Sequence, residues 1–231
     1  MSAVRRSTLA AALAVVCSIA GFAATAPGAV SACGSSGYAY AGLAGNGRAY
    51  GVTAKVTALS APQVISGHVA GWIGVGGVGA GPNGTNEWIQ VGFSGFPGSS
   101  TNDLYYEVAR PNQAPVYHQI ASDLGPGSTK KVTVLEMAHR HSWWRIWVDH
   151  QPVGDPVYLP GSHGAWRPVA TAEAWGAGSF VCNRFRYQFH GVSVARGAGG
   201  GWSPLRNLYT FQDHGYYIRR VLANTYVAAS S

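Results

Sequence analysis

Side-chain character along this chain repeats every two residues, and no stretch repeats every 3.6 with helix caps. Short alternating runs are separated by clusters of Gly, Pro, Asn and Ser. A two-residue period sends successive side chains to opposite faces of a strand. Many such runs at short spacing specify an all-β sandwich or barrel. Strands are expected over 50–60, 69–78, 87–94, 103–110, 130–138, 142–149, 167–175 and 184–195, with turns over 79–86, 96–102, 125–128 and 150–155. The Gly-rich run 196–202 could pass for a linker, but the roughly 30 residues after it are too few for an independent core. The run 205–229 therefore reads as one or two closing strands of the same sheet.

The N-terminus has its own logic. Arg5 and Arg6 precede an apolar run over 9–23, and Val30-Ser31-Ala32 offers small residues for cleavage. This is the pattern of a secretory signal over 1–32, leaving a single domain over 33–231. An apolar run of about 15 residues is too short to span a bilayer, where roughly 20 are needed. Cys17 leaves with the signal, and Cys33 and Cys182 most simply form one disulfide in an exported chain. A lipoprotein box at Val30-Ser31-Ala32-Cys33 is the rival reading, and it would leave Cys182 unpaired. Net charge is +7 and falls to +5 once Arg5 and Arg6 are removed. The basic residues are scattered rather than striped, which argues against nucleic acid as a partner. A secreted monomer, off the membrane after signal removal, is expected.

Alternation also assigns faces. In the run 87–93, Ile89, Val91 and Phe93 share a core face, and Trp88, Gln90 and Gly92 share the other. An aromatic, an uncharged amide and bare backbone suit the floor of a cleft better than a solvated surface. Ile73 and Val75 face the core, and Trp72 shares its face with Gly74 and Gly76. Leu104, Tyr106 and Val108 face the core, and Tyr105 and Glu107 point away. Ala170, Ala172 and Ala174 oppose Val169, Thr171, Glu173 and Trp175. If these strands are neighbours, they build an aromatic groove holding two carboxyls and an amide.

Gln90 with Glu173, supported by Glu107, is the leading constellation. A carboxylate can take a proton from water, and an amide N–H can stabilise an oxyanion. Together they could hydrolyse an amide bond without a metal or a covalent nucleophile. Two carboxyls across a groove also suit glycoside hydrolysis, but the chain lacks a Glu-x-Asp-x-x-Glu cluster. His139, His141 and His150 raise a metal reading that needs three or four convergent ligands, and a solvated turn explains them as well. No Gly-x-Ser-x-Gly elbow marks a serine nucleophile. Asn83-Gly84-Thr85 is a sequon that also reads as a turn.

At these segments the chain resembles the eqolisins, the secreted glutamic peptidases. Gly71-Trp72-Ile73-Gly74-Val75-Gly76-Gly77 is similar to their Trp-Val-Gly-Ile-Asp-Gly strand. Ile89-Gln90-Val91-Gly92 is similar to the Leu-Gln-Thr-Gly segment with the catalytic glutamine. Tyr105-Tyr106-Glu107-Val108 is similar to the strand that follows, and Thr171-Ala172-Glu173-Ala174-Trp175 to the strand with the catalytic glutamate. The resemblance implies a concanavalin-like, legume-lectin-type jelly roll: a β-sandwich of two seven-stranded antiparallel sheets. It implies an acid endopeptidase acting on polypeptides without a metal or other cofactor. Glu173 would be the general base and Gln90 the oxyanion donor, with Trp72, Trp88, Tyr105, Glu107 and Trp175 binding substrate. Gly76 stands where the family usually has Asp, and Gly176-Ala177-Gly178 replaces a second acidic residue after the glutamate. Those departures keep a second class in view: a catalytically silent sandwich that binds carbohydrate or peptide in the same groove.

Overall fold

Two residues per repeat, with one face apolar, can be buried only by packing sheet on sheet, and this is what the chain does. A computed structural model describes residues 33–231; the signal expected over 1–32, with Cys17, lies outside them. The front sheet runs in spatial order β13 (Leu208–Gln212), β1 (Tyr38–Gly45), β10 (Pro168–Trp175), β3 (His68–Gly77), β4 (Glu87–Gly95), β5 (Asn102–Ala109) and β6 (Val116–Leu124). The back sheet runs β14 (Tyr216–Leu222), β15 (Thr225–Ser230), β11 (Arg186–Gly197), β2 (Gly51–Ala58), β7 (Thr129–Glu136), β8 (Trp143–Val148) and β9 (Gln151–Tyr158). An extra strand, β12 (Gly200–Pro204), pairs with β11. Neighbouring strands pair antiparallel throughout, as in the expected jelly-roll sandwich.

The core is made from the faces that alternation assigns. Ile73, Val75, Ile89, Val91, Phe93 and the three alanines of β10 come from the front. Val52, Val56, Val132, Val134, Trp144, Ile146, Tyr187 and Phe189 come from the back. The alanines have a purpose: their small side chains leave room for large aromatics of the facing sheet. Phe189 stacks on Tyr226 at 4.9 Å, and the Tyr226 hydroxyl crosses the sandwich to donate to the Ala170 carbonyl. Tyr187 likewise lies where a side chain on Gly71 would have to sit, and its hydroxyl donates to Asn102 Oδ1 at 2.8 Å. Each buried aromatic is worth about 1.5–3 kcal/mol relative to exposure, and bonding the hydroxyl removes the cost of burying it.

Cys33 and Cys182 are joined, with Cα atoms 5.1 Å apart, tying the first described residue to the segment before β11. Several expectations need correcting. Strands β1 and β6 lie outside the expected runs, and the expected turn over 150–155 runs into β9. The Gly-rich run contributes to a β11–β12 hairpin. The closing segment holds three strands divided between the sheets: β13 extends the front, and β14 and β15 extend the back.

Candidate active site

The strand order β1-β10-β3-β4-β5 makes neighbours of the strands whose outer faces carry the unusual residues. Register then fixes who stands beside whom. One row across the sheet reads Val169, Gly74, Gln90, Glu107, Tyr117; the next reads Thr171, Trp72, Gly92, Tyr105; the third reads Tyr40, Glu173, Ala70, Ser94. Gln90 and Glu173 thus share a face, two strands and two rows apart. Trp72 occupies the intervening strand and row. Bare backbone makes this arrangement feasible. A Cβ on Gly74 would lie 2.8 Å from Gln90 Cβ, and one on Gly92 would lie 2.6 Å from Trp72 Cα. Both are closer than side chains pack, so the glycines clear space for the amide and the indole.

These residues line a cleft of about 340 Å³ whose walls include Tyr38, Tyr40, His68, Trp72, Trp88, Gln90, Glu107, Glu173 and Phe211. Gln90 is 7% exposed and Glu173 is 6% exposed. Polar groups that deep need partners, and each has one. Gln90 Nε2 donates to Tyr105 Oη at 3.0 Å, which leaves its second N–H free for another acceptor. Glu173 Oε1 lies 3.2 Å from His68 Nε2. Across the sheet, Trp88 Nε1 donates to Glu107 Oε1 at 2.9 Å. Glu107 still holds its proton to higher pH than an ordinary glutamate. Desolvation is the main cause and the charge of Glu173 adds to it, while the Trp88 bond and His68 pull the other way.

Aromatic rings frame the carboxyls. Tyr38 stacks on Tyr40 and on Trp175, each at 5.9 Å, and Tyr40 meets Phe211 edge-on at 6.4 Å. Burial, helped by the nearby Glu173 charge, pushes the Tyr40 hydroxyl far above its usual range, so it stays a hydrogen-bond donor. Tyr105, 2% exposed, stacks on Tyr117 at 4.9 Å and supports Gln90 from below.

Of the residues expected from sequence, Trp72, Trp88, Gln90, Glu107 and Glu173 line the cleft together. Tyr105 sits beneath Gln90, and Trp175 packs behind Tyr38 and His68 rather than on the cavity wall. Sequence reasoning missed His68, whose parity matches Trp72 but which falls one residue before the expected strand. It also missed Tyr38 and Tyr40, which lie on a strand that alternation does not assign, and Phe211, which lies in the closing run expected over 205–229 but was given no place in the cleft. The histidines of the metal reading lie elsewhere. His141 stacks on His163 at 3.8 Å, and His163 Nδ1 lies 2.8 Å from Glu136 Oε1. Among the described residues, no three His, Cys, Asp or Glu converge to hold a metal.

Fold and face together define a class: an antiparallel two-sheet sandwich with an acid, an amide and aromatic walls in one front-sheet cleft. Comparison with protein-family models and with curated sequences gives no match. Two solved structures share the architecture. One is scytalido-glutamic peptidase with a transition state analog inhibitor: TM-score 0.58 and 17% identity over 86% of this chain and 99% of that chain. The other is SCP-B, a member of the eqolisin family of peptidases, in a complex with the tripeptide Ala-Ile-His: TM-score 0.54 and 16% identity over 86% of this chain and 100% of that one. At these identities the likeness establishes the sandwich fold.

Proposed function

We propose that this chain is a secreted acid endopeptidase of the glutamic type, exported by the signal over 1–32 and acting as a monomer. One observation carries the reading: an acid and an amide with a spare N–H, both almost buried, line a single aromatic cleft. The fold is shared with two peptidases, one of them complexed with a tripeptide.

The chemistry follows from the side chains. A peptide lies over Trp72 with its carbonyl toward Gln90. The Glu173 carboxylate takes a proton from water as the water oxygen attacks the carbonyl carbon. Positioned general bases contribute about 10²–10⁴-fold. The free Gln90 N–H donates to the developing oxyanion, a contact worth about 10²–10³-fold. Protonated Glu173 then returns the proton to the leaving nitrogen, and the C–N bond breaks. Because the two residues stand on strands two apart, they meet across the substrate rather than touching each other. His68 Nε2, 3.2 Å from Glu173 Oε1, holds that carboxyl in place. Glu107 keeps its proton to higher pH than an ordinary glutamate and so limits negative charge in the cleft.

The test is incubation of the mature protein with denatured protein from pH 3 to pH 8, with and without a chelator. Cleavage at acid pH that survives the chelator supports the reading. Intact substrate at every pH would leave the cleft a binding groove.

A further inference from the structure

The outward face of the back sheet holds a second hollow, of about 490 Å³, on the opposite side of the sandwich from the cleft. Register again shows how it is built. His190 of β11 pairs with Lys55 of β2, and Lys55 pairs with Lys131 of β7, so three basic residues stand side by side in one row. The adjacent row holds Ser193, Thr53, Thr133 and Trp147. Trp202 of β12 and His150 complete the walls, and no Asp or Glu lines the hollow.

Two features set this apart from an ordinary solvated face. Like charges directly opposite on paired strands cost stability, and Lys55 and Lys131 stand opposite each other here. The ion pairs among the described residues join Lys130 to Asp149, His68 to Glu173 and His163 to Glu136. Among the described residues the Lys55 and Lys131 ammonium groups have no carboxylate partner, although the Lys131 backbone N–H donates to Asp149 Oδ1 at 2.9 Å. The second feature is a bulge. The β11–β2 ladder slips between His190 and Ser193, where Gly191 adopts φ +68° and its N–H donates to Thr225 Oγ1 at 3.1 Å. Residues three apart on a regular strand face opposite ways, but the bulge turns both His190 and Ser193 into the hollow. Bulges commonly re-aim side chains at functional sites.

We propose that this hollow binds an anionic saccharide, a sugar chain bearing carboxylate or sulfate groups. Lys55 and Lys131 take the acid groups in charge-assisted hydrogen bonds. Trp147 and Trp202 offer apolar faces to the sugar rings. The hydroxyls of Thr53, Thr133 and Ser193 retain acceptor capacity for sugar hydroxyls. A pocket of this size fits a few rings rather than a nucleic-acid backbone. Bound there, the protein is held on an acidic polysaccharide while the front cleft stays open. The proposal is independent of the peptidase reading.

The experiment measures binding of the mature protein to polygalacturonate, dextran sulfate, uncharged dextran and a single-stranded oligonucleotide. Three variants accompany the parent: Lys55→Thr/Lys131→Thr, Trp202→Ala, and Arg186→Thr/Arg219→Thr, which removes the same charge elsewhere. The expected result is tight binding of polygalacturonate or dextran sulfate, whichever acid group fits, and at least tenfold weaker binding of dextran. The lysine variant loses at least tenfold in affinity with an undiminished melting temperature, since it relieves repulsion. Trp202→Ala loses several-fold with its charge unchanged, and the arginine variant binds like the parent. Absence of binding to both anionic glycans, oligonucleotide binding as tight as glycan binding, or equal losses in the lysine and arginine variants would overturn it.

Discussion

Replacing Glu87 with glutamine isolates a buried ionisation. Glu87 opens β4 on the core side of the strand, is 0% exposed, and has no hydrogen-bond partner for either carboxyl oxygen. The 79–86 loop closes over it: a Cβ on Gly81 would lie 3.0 Å from Glu87 Oε2. Burial alone pushes the carboxyl from its usual 4.5 up to about 7, and no charged group on a neighbouring element contributes. The folded-state midpoint lies above the unfolded one, so the folded protein holds an extra proton between them. Below about 4.5 both states are protonated and the group contributes nothing. As pH rises toward 7 the folded state is progressively penalised. At 1.36 kcal/mol per pH unit, the penalty reaches about 3 kcal/mol in full. The amide of the Glu87→Gln variant cannot ionise, although burying it unbonded costs about 1–3 kcal/mol at every pH. The informative quantity is therefore the variant-minus-parent difference in melting temperature at pH 8 relative to pH 3.5. For a domain of this size about 3 kcal/mol corresponds to roughly 6–12 °C. Scanning calorimetry at the two pH values gives the answer. A difference that does not change between them would refute the reasoning.

Three further outcomes are expected. Carboxyl-carbon NMR should place the Glu107 titration above an ordinary glutamate's; Glu173→Gln should lower it by removing a repulsive charge, and Trp88→Phe should raise it by removing a donor. His68→Ala should change the shape of the kcat–pH profile and cost about 10–100-fold in kcat, the scale of a hydrogen bond to a charged group, with KM nearly constant; an unaltered profile would remove His68 from the chemistry. Cys33→Ser/Cys182→Ser opens a link spanning 149 positions of sequence and should cost about 2–5 kcal/mol, visible as a lower urea midpoint.

The groove was legible because strands β3, β4, β5 and β10 each pair an apolar inward face with an outward face of a different kind. Gln90 and Glu173 stood out as polar groups among aromatics, glycine and small residues. Elsewhere that contrast fails for physical reasons. In β1 nearly every residue is buried on both faces, so Ala41, Gly42, Leu43 and Ala44 show no alternation. Strands β6 and β9 lie at sheet edges, where one side of the ladder is open. Edge positions tolerate proline, and β9 carries Pro152 and Pro156 although a turn is expected over 150–155. His68 was lost because it begins β3, where strand boundaries are least marked by pattern. The bulge at Gly191 is likewise invisible to a strict two-residue period, which sends His190 and Ser193 to opposite faces.

The central claim is that one acid and one amide act on the same scissile carbonyl, and kcat/KM for a peptide at acid pH addresses it directly. Parent, Glu173→Gln, Gln90→Ala and the double variant should be compared. The expected losses are about 10²–10⁴-fold for Glu173→Gln and about 10²–10³-fold for Gln90→Ala. The double variant should be scarcely slower than the worse single one, because groups that act as a unit are not additive. Hydrolysis by either single variant at the parent's rate would contradict the account.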